Sequence, residues 1–484
     1  MNGQRPAPRG VELHLTLDEG GGLTQQIYDQ IRRAILNGRL PGDARMSSSR
    51  ELARSLGVAR NTVAAAFDHL VAEGYLQARP GVGTFVSAEA DRAALSPDRT
   101  ASPLTPVPLW RNGAFEVPVL NRDPPAYDFR TGMPDDARFP YPAWRRHVDA
   151  VVRRSSRAAE YADPSGPGVL RAAIARHLGV SRGLNIVADD LVVTNGVQQA
   201  VALLAQVLVE PGDVVAVEDP GYPLARRAFE AARATVVPVP VDEQGIVVDR
   251  LPPQAAAVYV TPAHQYPLGV RMSLARRTAL LEWAREADAA IIEDDYDTDF
   301  RYGARPIDPL HVLDHADRVV YVGSFSKSIL PTLRVGYCSA PPALLDALRR
   351  ARFVADWHGP TATQLALASF IDEGRLAAHI RRMRREYERR HDRITTVLDS
   401  DFRPHLRPIP TAAGLHLAAW CEDASHDTIA GWQAACETEG VRFQSIGDFA
   451  LGTVDPGIML GFGRIPFDRI DDGLHRLRAA IGSG

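Results

Sequence analysis

Tyr321-Val-Gly-Ser-Phe-Ser-Lys-Ser-Ile-Leu-Pro-Thr-Leu-Arg-Val-Gly-Tyr337 contains Lys327, the only lysine in a sequence of 484 residues. The chain holds 55 Lys+Arg, so 55 less this one leaves 54 arginines. A guanidinium stays protonated at any accessible pH, whereas an ammonium taken out of water has its pKa lowered and can attack a carbonyl to form a Schiff base. The plain alternative is a solvated surface lysine that survives by chance in an arginine-rich chain. What surrounds Lys327 decides between the two.

On either side of Lys327, apolar runs alternate with amphipathic stretches: Asp190–Thr194, Val214–Val217, Ala257–Val260, Ala290–Glu293, Arg318–Val322 and Arg334–Tyr337. Short, continuous and rich in β-branched residues, these runs predict buried strands of a mainly parallel sheet, with helices such as Leu274–Ala287 between them. In sheets of that kind ligands sit beyond the carboxyl ends of the strands, so the residues that follow each run carry the chemistry. After the first run, Thr194-Asn-Gly-Val-Gln-Gln199 opens a helix with a glycine at its start, which suits a phosphate. Glu218-Asp-Pro-Gly-Tyr222 follows the second and offers an aromatic face, or simply a packed turn. The fourth ends in Glu293-Asp-Asp-Tyr-Asp297, a cluster of acids too costly to bury without cations or donors to answer it. After the fifth come Ser324-Phe-Ser-Lys327 and, seven residues on and expected on the next strand, Arg334 to neutralise a dianion. Pyridoxal 5′-phosphate (PLP) needs these groups together: an amine for its aldehyde, an acid for its ring nitrogen, an aromatic face and a basic phosphate pocket.

The chain ahead of this region reads differently. Apolar positions Leu23, Ile27, Ile31, Ala34 and Ile35 predict one buried helical face, ended by Gly38 and Pro41. A second helix is expected from Ser48 or Ser49 to Leu56, closed by Gly57. A third follows, with Val63, Phe67, Leu70 and Val71 inward and Arg60, Asn61, Thr62 and His69 outward. Tyr75–Arg79 and Thr84–Val86 are then expected as two short strands of a hairpin around Pro80-Gly-Val-Gly83. Three helices and a hairpin make a winged helix-turn-helix, whose third helix enters the major groove. Ten arginines against eight acidic residues in 1–87 make it only mildly basic. Residues 88–126 hold Pro97, Pro103, Pro106, Pro108, Pro118, Pro124 and Pro125 without periodicity, and predict a semi-extended linker.

Totals bound the remaining possibilities. Hydrophobic residues at 45%, charged residues at 24% and a net charge of −4 describe an ordinary globular protein. Its length is about three times the usual domain size of ~150 residues, so two or three domains are expected. Cys338, Cys421 and Cys436 are an odd, scattered set that suits reduced thiols, and neither C-x-x-C nor H-E-x-x-H occurs, so no metal site is expected. A polar amino terminus and the lack of any run of ~18 apolar residues point to the cytoplasm.

Ser49-Arg-Glu-Leu-Ala53, Leu56-Gly-Val-Ala-Arg-Asn-Thr-Val63 and Glu73-Gly-Tyr-Leu76 resemble the GntR-type winged helix. One departure is Met46-Ser47, where that family usually has Leu-Pro. The resemblance implies a DNA-binding domain over 15–87, with Ser49, Arg50, Arg60, Asn61, Thr62 and Gly81 at the DNA and Arg50, Arg60 and Thr62 leading. Residues 127–484 resemble the fold-type I aminotransferases, a mainly parallel α/β sheet with a smaller C-terminal α+β subdomain. That resemblance assigns Lys327 to the Schiff base with PLP, Asp294 to the pyridinium, Tyr296 to the ring hydroxyl and Tyr222 to stacking. It gives Gly196, Val197, Gln198, Ser324 and Arg334 to the phosphate. Tyr161 matches a tyrosine that reaches the phosphate from a neighbouring subunit, which implies a homodimer. A winged helix linked to such a body is the architecture of the MocR/GabR regulators, and His264-Gln-Tyr-Pro267, Ala366-Leu-Ala368 and His379-Ile-Arg-Arg-Met-Arg384 resemble that family too.

Two departures bear on function. Tyr266-Pro-Leu-Gly269 stands where aminotransferases carry Asn-Pro-x-Gly. Met459 stands where they carry the arginine that pairs with a substrate carboxylate, with Arg464 five residues on. Loss of that clamp removes orientation, on which catalysis depends. The expected function is therefore a PLP-dependent transcriptional regulator that answers to PLP or an amine effector, its body used for sensing rather than turnover. An active aminotransferase with a DNA-binding head is the alternative. A DNA-binding protein with an inert dimerisation body is disfavoured by Lys327 together with Asp294.

Overall fold

The computed structural model describes residues 14–18, 20–93, 105–111, 125–153, 160–303 and 308–482. They fall into two compact units that divide between Gly113 and Ala114.

The first unit is built on α1 (Leu23–Leu36), α2 (Ser49–Leu56), α3 (Arg60–Ala72), β1 (Leu76–Arg79) and β2 (Gly83–Val86). Ile27, Ile31, Ala34 and Ile35 form the buried stripe of α1, while Leu23 is exposed. In α3 the buried positions are Val63, Ala66, Phe67 and Leu70. Val71, expected inside, is 36% exposed, because the i, i+3, i+4, i+7 stripe passes through Ala66 and leaves residue 71 one step off it. Ser48 caps α2 with a reciprocal box: its Oγ accepts from the Glu51 N–H at 3.2 Å, and Glu51 Oε2 accepts from the Ser48 N–H at 3.0 Å. Gly57 ends the helix in the left-handed conformation. β1 and β2 pair antiparallel from Leu76↔Val86 to Arg79↔Gly83, which makes the wing. The stretch expected as a tether opens instead with a helix, α4 (Ala88–Ala93), whose Ala90 is buried in this unit's core. Residues 88–93 contain no proline and are rich in helix formers, so the first prolines of the tether come later. A second short helix covers Pro108–Arg111; residues 94–104 and 112–124 lie outside the described residues.

The second unit contains an eight-stranded sheet. In chain order its strands are β3 (Leu191–Thr194), β4 (Val214–Asp219), β5 (Thr235–Asp242), β6 (Gly245–Ile246), β7 (Ala255–Val260), β8 (Ala290–Asp295), β9 (Val319–Ser324) and β10 (Gly336–Ser339), and across the sheet they run β3-β10-β9-β8-β7-β4-β5-β6. The five strands β9, β8, β7, β4 and β5 are parallel; β10 is antiparallel to both its neighbours. Alternate residues of each strand face opposite sides. Val215, Val217, Ala257, Tyr259 and Ile292 pack with the helices Val197–Leu208 and Pro342–Asp356, while Ala216, Val258, Val260 and Ile291 pack with Leu274–Glu286. Burial on both faces is why the strands read as continuous apolar runs. A four-stranded antiparallel sheet of β11 (Leu406–Pro408), β12 (His416–Cys421), β13 (Gln444–Ser445) and β14 (Gly457–Gly461), ordered β11-β12-β14-β13, forms the smaller subdomain. Among the described residues no helix is long and apolar enough to cross a membrane.

The register places one edge at the centre of interest. Asp219, Val260, Asp295 and Ser324 close four parallel strands on the same side, and Ser324 pairs with Gly336, which pairs with Thr194. The antiparallel β10 thus delivers the segment preceding it to the carboxyl ends of β9 and β3.

Removing the cap on α2 tests the local account of the first unit. Ser48→Ala leaves the Glu51 N–H without its side-chain acceptor, and the expected loss is about 1 kcal/mol. Amide hydrogen exchange on the full chain should show protection falling in α2 and its neighbours in the first unit and unchanged in β7 and β8.

Candidate functional site

At that edge lies a cavity of about 800 Å³, lined among others by Val197, Gln198, Tyr222, Asp294, Tyr296, Ser324, Lys327 and Arg334. The structure therefore brings together eight of the ten residues expected to contact a cofactor. Gly196 adjoins them as the N-cap of the helix Val197–Leu208, with φ +82°, and a Cβ there would lie 3.1 Å from Arg334 Nη2. Only a glycine accepts that backbone and leaves room for the guanidinium. Tyr161 is not in its own pocket: it is 76% exposed and stacks on Trp357 at 4.1 Å.

Arg334 is not on a strand as expected. It has φ +51° and ψ +48°, a left-handed residue that closes the turn Pro331–Leu333 just before β10. The turn swings its side chain across to β3, where Nη2 donates to the Asn195 carbonyl at 2.7 Å. Free N–H groups at the start of the helix Val197–Leu208, the Ser324 hydroxyl and this guanidinium form a cradle for an anion.

The acid cluster at the end of β8 is buried throughout, and each member has its own answer. Glu293 accepts from the backbone N–H groups of Leu310 and His311, both at 2.9 Å. Asp295 accepts on Oδ2 from Arg182 Nε at 2.6 Å and from the Tyr321 hydroxyl at 2.5 Å, while its Oδ1 has no partner among the described residues. Asp297 meets His264 Nδ1 with both oxygens at 3.0 Å. Asp294 has only the Tyr259 hydroxyl on Oδ2, and its buried Oδ1 has no partner. The Asp294 carboxyl is pushed up to about 7, chiefly by burial, with the hydrogen bond from Tyr259 acting against the rise and Asp295 adding to it. Asp294 lines the cavity, and a carboxylate with an unpartnered oxygen fits a protonated ring nitrogen, which would complete its hydrogen bonding and favour its charge.

Lys327 donates to the Gly132 carbonyl at 2.7 Å. Burial lowers its pKa, while Asp297 and then Asp294 raise it and Arg334 lowers it, with a net downward shift. This is the setting that makes an amine nucleophilic. A Cβ at Gly132, whose φ is +79°, would stand 2.9 Å from Nζ, so the backbone approaches the lysine as only glycine permits.

Several lining residues escaped the sequence reading. Arg130, Thr131 and Gly132 lie just after the linker, far from any strand end, and nothing in their spacing marks them. Tyr259 is a buried strand residue whose hydroxyl required a polar partner, which is the one available clue. His416 comes from β12 of the small subdomain. Asp297 was visible as part of the acid cluster but without a role. The possible ligand atoms of His264, Asp297 and His416 lie within 4.8 Å of one another, a buried group of the kind that can hold a cation. Here Asp297 occupies His264 Nδ1, and the Pro267 carbonyl occupies His416 Nε2 at 3.0 Å.

Met459 sits in β14, wholly buried with Leu268, Val270, Ile409, Ala418, Ile446 and Phe449, and does not line the cavity. The cavity does contain Arg130 and Arg464, which share Asp128 at 2.8 and 3.7 Å. Met459 is thus a core residue, one of the two readings open to it, and two guanidiniums from elsewhere line the pocket in place of an arginine at 459.

The first unit gathers the residues expected at DNA. Arg50, Arg60, Asn61 and Gly81 are exposed and Ser49 and Thr62 half-buried, on α2, the start of α3 and the wing turn.

Residues 127–481 match the aminotransferase class I and II family, and residues 23–86 match the gntR family of bacterial regulatory proteins. The body is thus of the aminotransferase class and the head of the GntR class. The whole chain is similar to the probable rhizopine catabolism regulatory protein MocR of Rhizobium meliloti, 34% identical over 97% of this chain and 96% of the relative. It is equally similar to the HTH-type pyridoxine biosynthesis transcriptional regulator PdxR of Corynebacterium glutamicum, 34% identical over 98% and 99%. The chain belongs to this MocR-type family, which joins a GntR winged helix to an aminotransferase-like body. Among solved structures, the kynurenine aminotransferase of Pyrococcus horikoshii is similar at 27% identity with a TM-score of 0.68, covering 74% of this chain and 90% of that one. The aminotransferase class I and II fold is in general PLP-dependent.

Asp294 gives a pH prediction for the PLP-free protein. Its folded pKa of about 7 lies above the ordinary carboxylate range, so the folded state holds the proton that the unfolded chain releases, and stability falls as pH rises from about 4 to about 7. Asp294→Asn removes that loss. The variant's advantage in thermal stability should grow over this window and level off above it, and PLP affinity should fall.

Proposed function

We propose that this protein is a transcriptional regulator whose hold on operator DNA responds to PLP, or to an amine that meets PLP, in the pocket of its body. The observation that carries the reading is one chain that joins an α3 with exposed Arg60 and Asn61 to a pocket where its sole lysine, an orphaned carboxylate and an anion cradle converge. Its similarity to regulators over nearly the whole length supports the same reading.

PLP, when bound, supplies an aldehyde that joins an amine and a ring that withdraws electrons. The residues of the chain do the rest. Lys327, its charge disfavoured by burial, supplies the amine. Asp294 holds the proton on the ring nitrogen. Tyr222, edge-on to Tyr266 at 5.8 Å, offers a face to the ring. Gly196, Val197, Gln198, Ser324 and Arg334 bind the phosphate, and Tyr296 reaches the ring hydroxyl. Arg130 and Arg464 orient a carboxylate on an incoming amine, which makes an amino acid a fitting effector. The exposure of Tyr161 supports a homodimer in which it reaches the partner's phosphate. Occupancy can alter DNA binding only if the two arrangements of the protein hold the cofactor or effector with different affinity. The protein is proposed to act in the cytoplasm on double-stranded DNA, with the head over 15–87, the linker over 88–126 and the body over 127–484.

Arg130 and Arg464 also favour a second reading, an enzyme that transfers amino groups and carries an accessory head. Operator binding and amino-group transfer measured on one preparation separate the two. The regulator shows sequence-specific, salt-dependent DNA binding and little turnover; brisk turnover without specific binding supports the enzyme.

Arg60→Ala should weaken specific operator binding about tenfold or more at fixed salt, the cost of one contact in the groove. PLP absorbance of the variant should match that of the parent. An unchanged affinity would remove Arg60 from the interface.

A further inference from the structure

Beside the pocket, three side chains meet at one nitrogen. His264 Nδ1 lies 3.0 Å from both oxygens of Asp297 and 3.0 Å from the Tyr296 hydroxyl oxygen, and all three residues are at the wall of the cavity or behind it. His264 is 2% and Asp297 3% exposed, so water does not compete for these bonds. On its other side His264 Nε2 is 3.1 Å from the Thr411 hydroxyl, which can donate to a bare nitrogen or accept from a protonated one.

Hydrogen-bond logic fixes the rest. A nitrogen lone pair cannot face a buried carboxylate without repulsion, so Nδ1 carries a proton, and it does so whether the imidazole is neutral or charged. A protonated Nδ1 has no lone pair to offer. The Tyr296 oxygen can then only accept from His264, and its own proton must point elsewhere. The Tyr296 phenol stays protonated, because burial and then Asp297 raise its pKa well above the ordinary value.

We propose that His264, locked by Asp297, is a positioning residue that makes Tyr296 a one-way donor into the pocket, toward the ring hydroxyl of bound PLP. The inference rests on the cofactor reading above and adds to it a device that sets the acidity of the PLP–lysine link. A donor to the ring oxygen favours the anionic oxygen, and so favours loss of the proton shared between that oxygen and the lysine nitrogen. Other charges act on the same link: Asp294, Asp297 and Arg334 face Lys327, and Tyr266 and His416 flank Tyr296 and His264. Burial, and next the neighbouring His264, hold His416 well below its ordinary pKa, so it stays neutral through the range of the test.

The test is a pH titration of the absorbance of the full-length, PLP-loaded protein. His264→Gln keeps the polar atom facing Thr411 but has no donor where Nδ1 stood, whereas His264→Asn places an amide N–H at that position. The His264→Gln transition should move up by about one pH unit, a tenfold change in the proton equilibrium. His264→Asn should restore most of it. Tyr296→Phe should produce the same upward move, and the Tyr296→Phe/His264→Gln double variant no more than Tyr296→Phe alone. No shift in His264→Gln, equal shifts in Gln and Asn, or shifts that add in the double variant overturn the proposal. A parent protein with no PLP band at all would overturn the cofactor reading instead, so the two failures are distinct. Cofactor affinity, read by titration of the same samples, is expected to change less than tenfold in the Asn variant, which keeps it loaded for the measurement.

Discussion

Four carboxylates, Glu293, Asp294, Asp295 and Asp297, are buried within five residues at the end of one strand, and the rest of the body is arranged to answer them. Burying an ionised carboxylate without a partner costs several kcal/mol, far more than the gain from any single apolar neighbour. Backbone N–H groups answer Glu293, Arg182 and Tyr321 answer Asp295, and His264 answers Asp297. Among the described residues Asp294 receives only a phenol, and it lines the cavity that holds the one lysine. This imbalance is local, and the same strand shows how the chain resolves it when a ligand is not wanted. Asp294 and Asp295 each keep one oxygen without a partner among the described residues, but of the two only Asp294 lines the cavity, so it is the acid placed to meet something brought from outside.

The electrostatics of the pocket follow from that arrangement. Burial works against the charge on Lys327 while Asp297 and Asp294 work for it, so the amine is poised between states rather than fixed in one. Arg334, on the far side, lowers the same pKa and serves the anion cradle with one guanidinium. Removing water strengthens every one of these interactions, which is why a few side chains from distant parts of the sequence suffice.

Much of this was legible in the sequence, for a physical reason. Asp294 and Ser324 lie at strand ends and Tyr296 and Lys327 just beyond them, and strands buried on both faces announce themselves as apolar runs. The winged helix was legible through its stripe and caps. What escaped depends on contacts distant in sequence. Arg334 lies in a left-handed turn whose backbone no propensity foretells, and it points to β3 rather than along β10. Met459 packs into the small subdomain's core, as one reading of it allowed, while Arg130 reaches the pocket from a loop that no strand end announces. Val71 missed burial by one helical step. Ala88–Ala93 folds onto the head's core although the prolines after it suggested a tether. His264 lies in a segment picked out only by resemblance, and its partner Asp297 belongs to an acid cluster that sequence could count but not pair.

The central claim is that the lysine reports cofactor occupancy to DNA. It is tested most directly by measuring operator affinity at fixed salt, with and without saturating PLP, in the parent and in Lys327→Ala. PLP should shift the parent's affinity several-fold, in either direction, and leave the variant's unchanged. An equal response in both proteins, or a parent that loads PLP and binds operator identically with and without it, would contradict the claim.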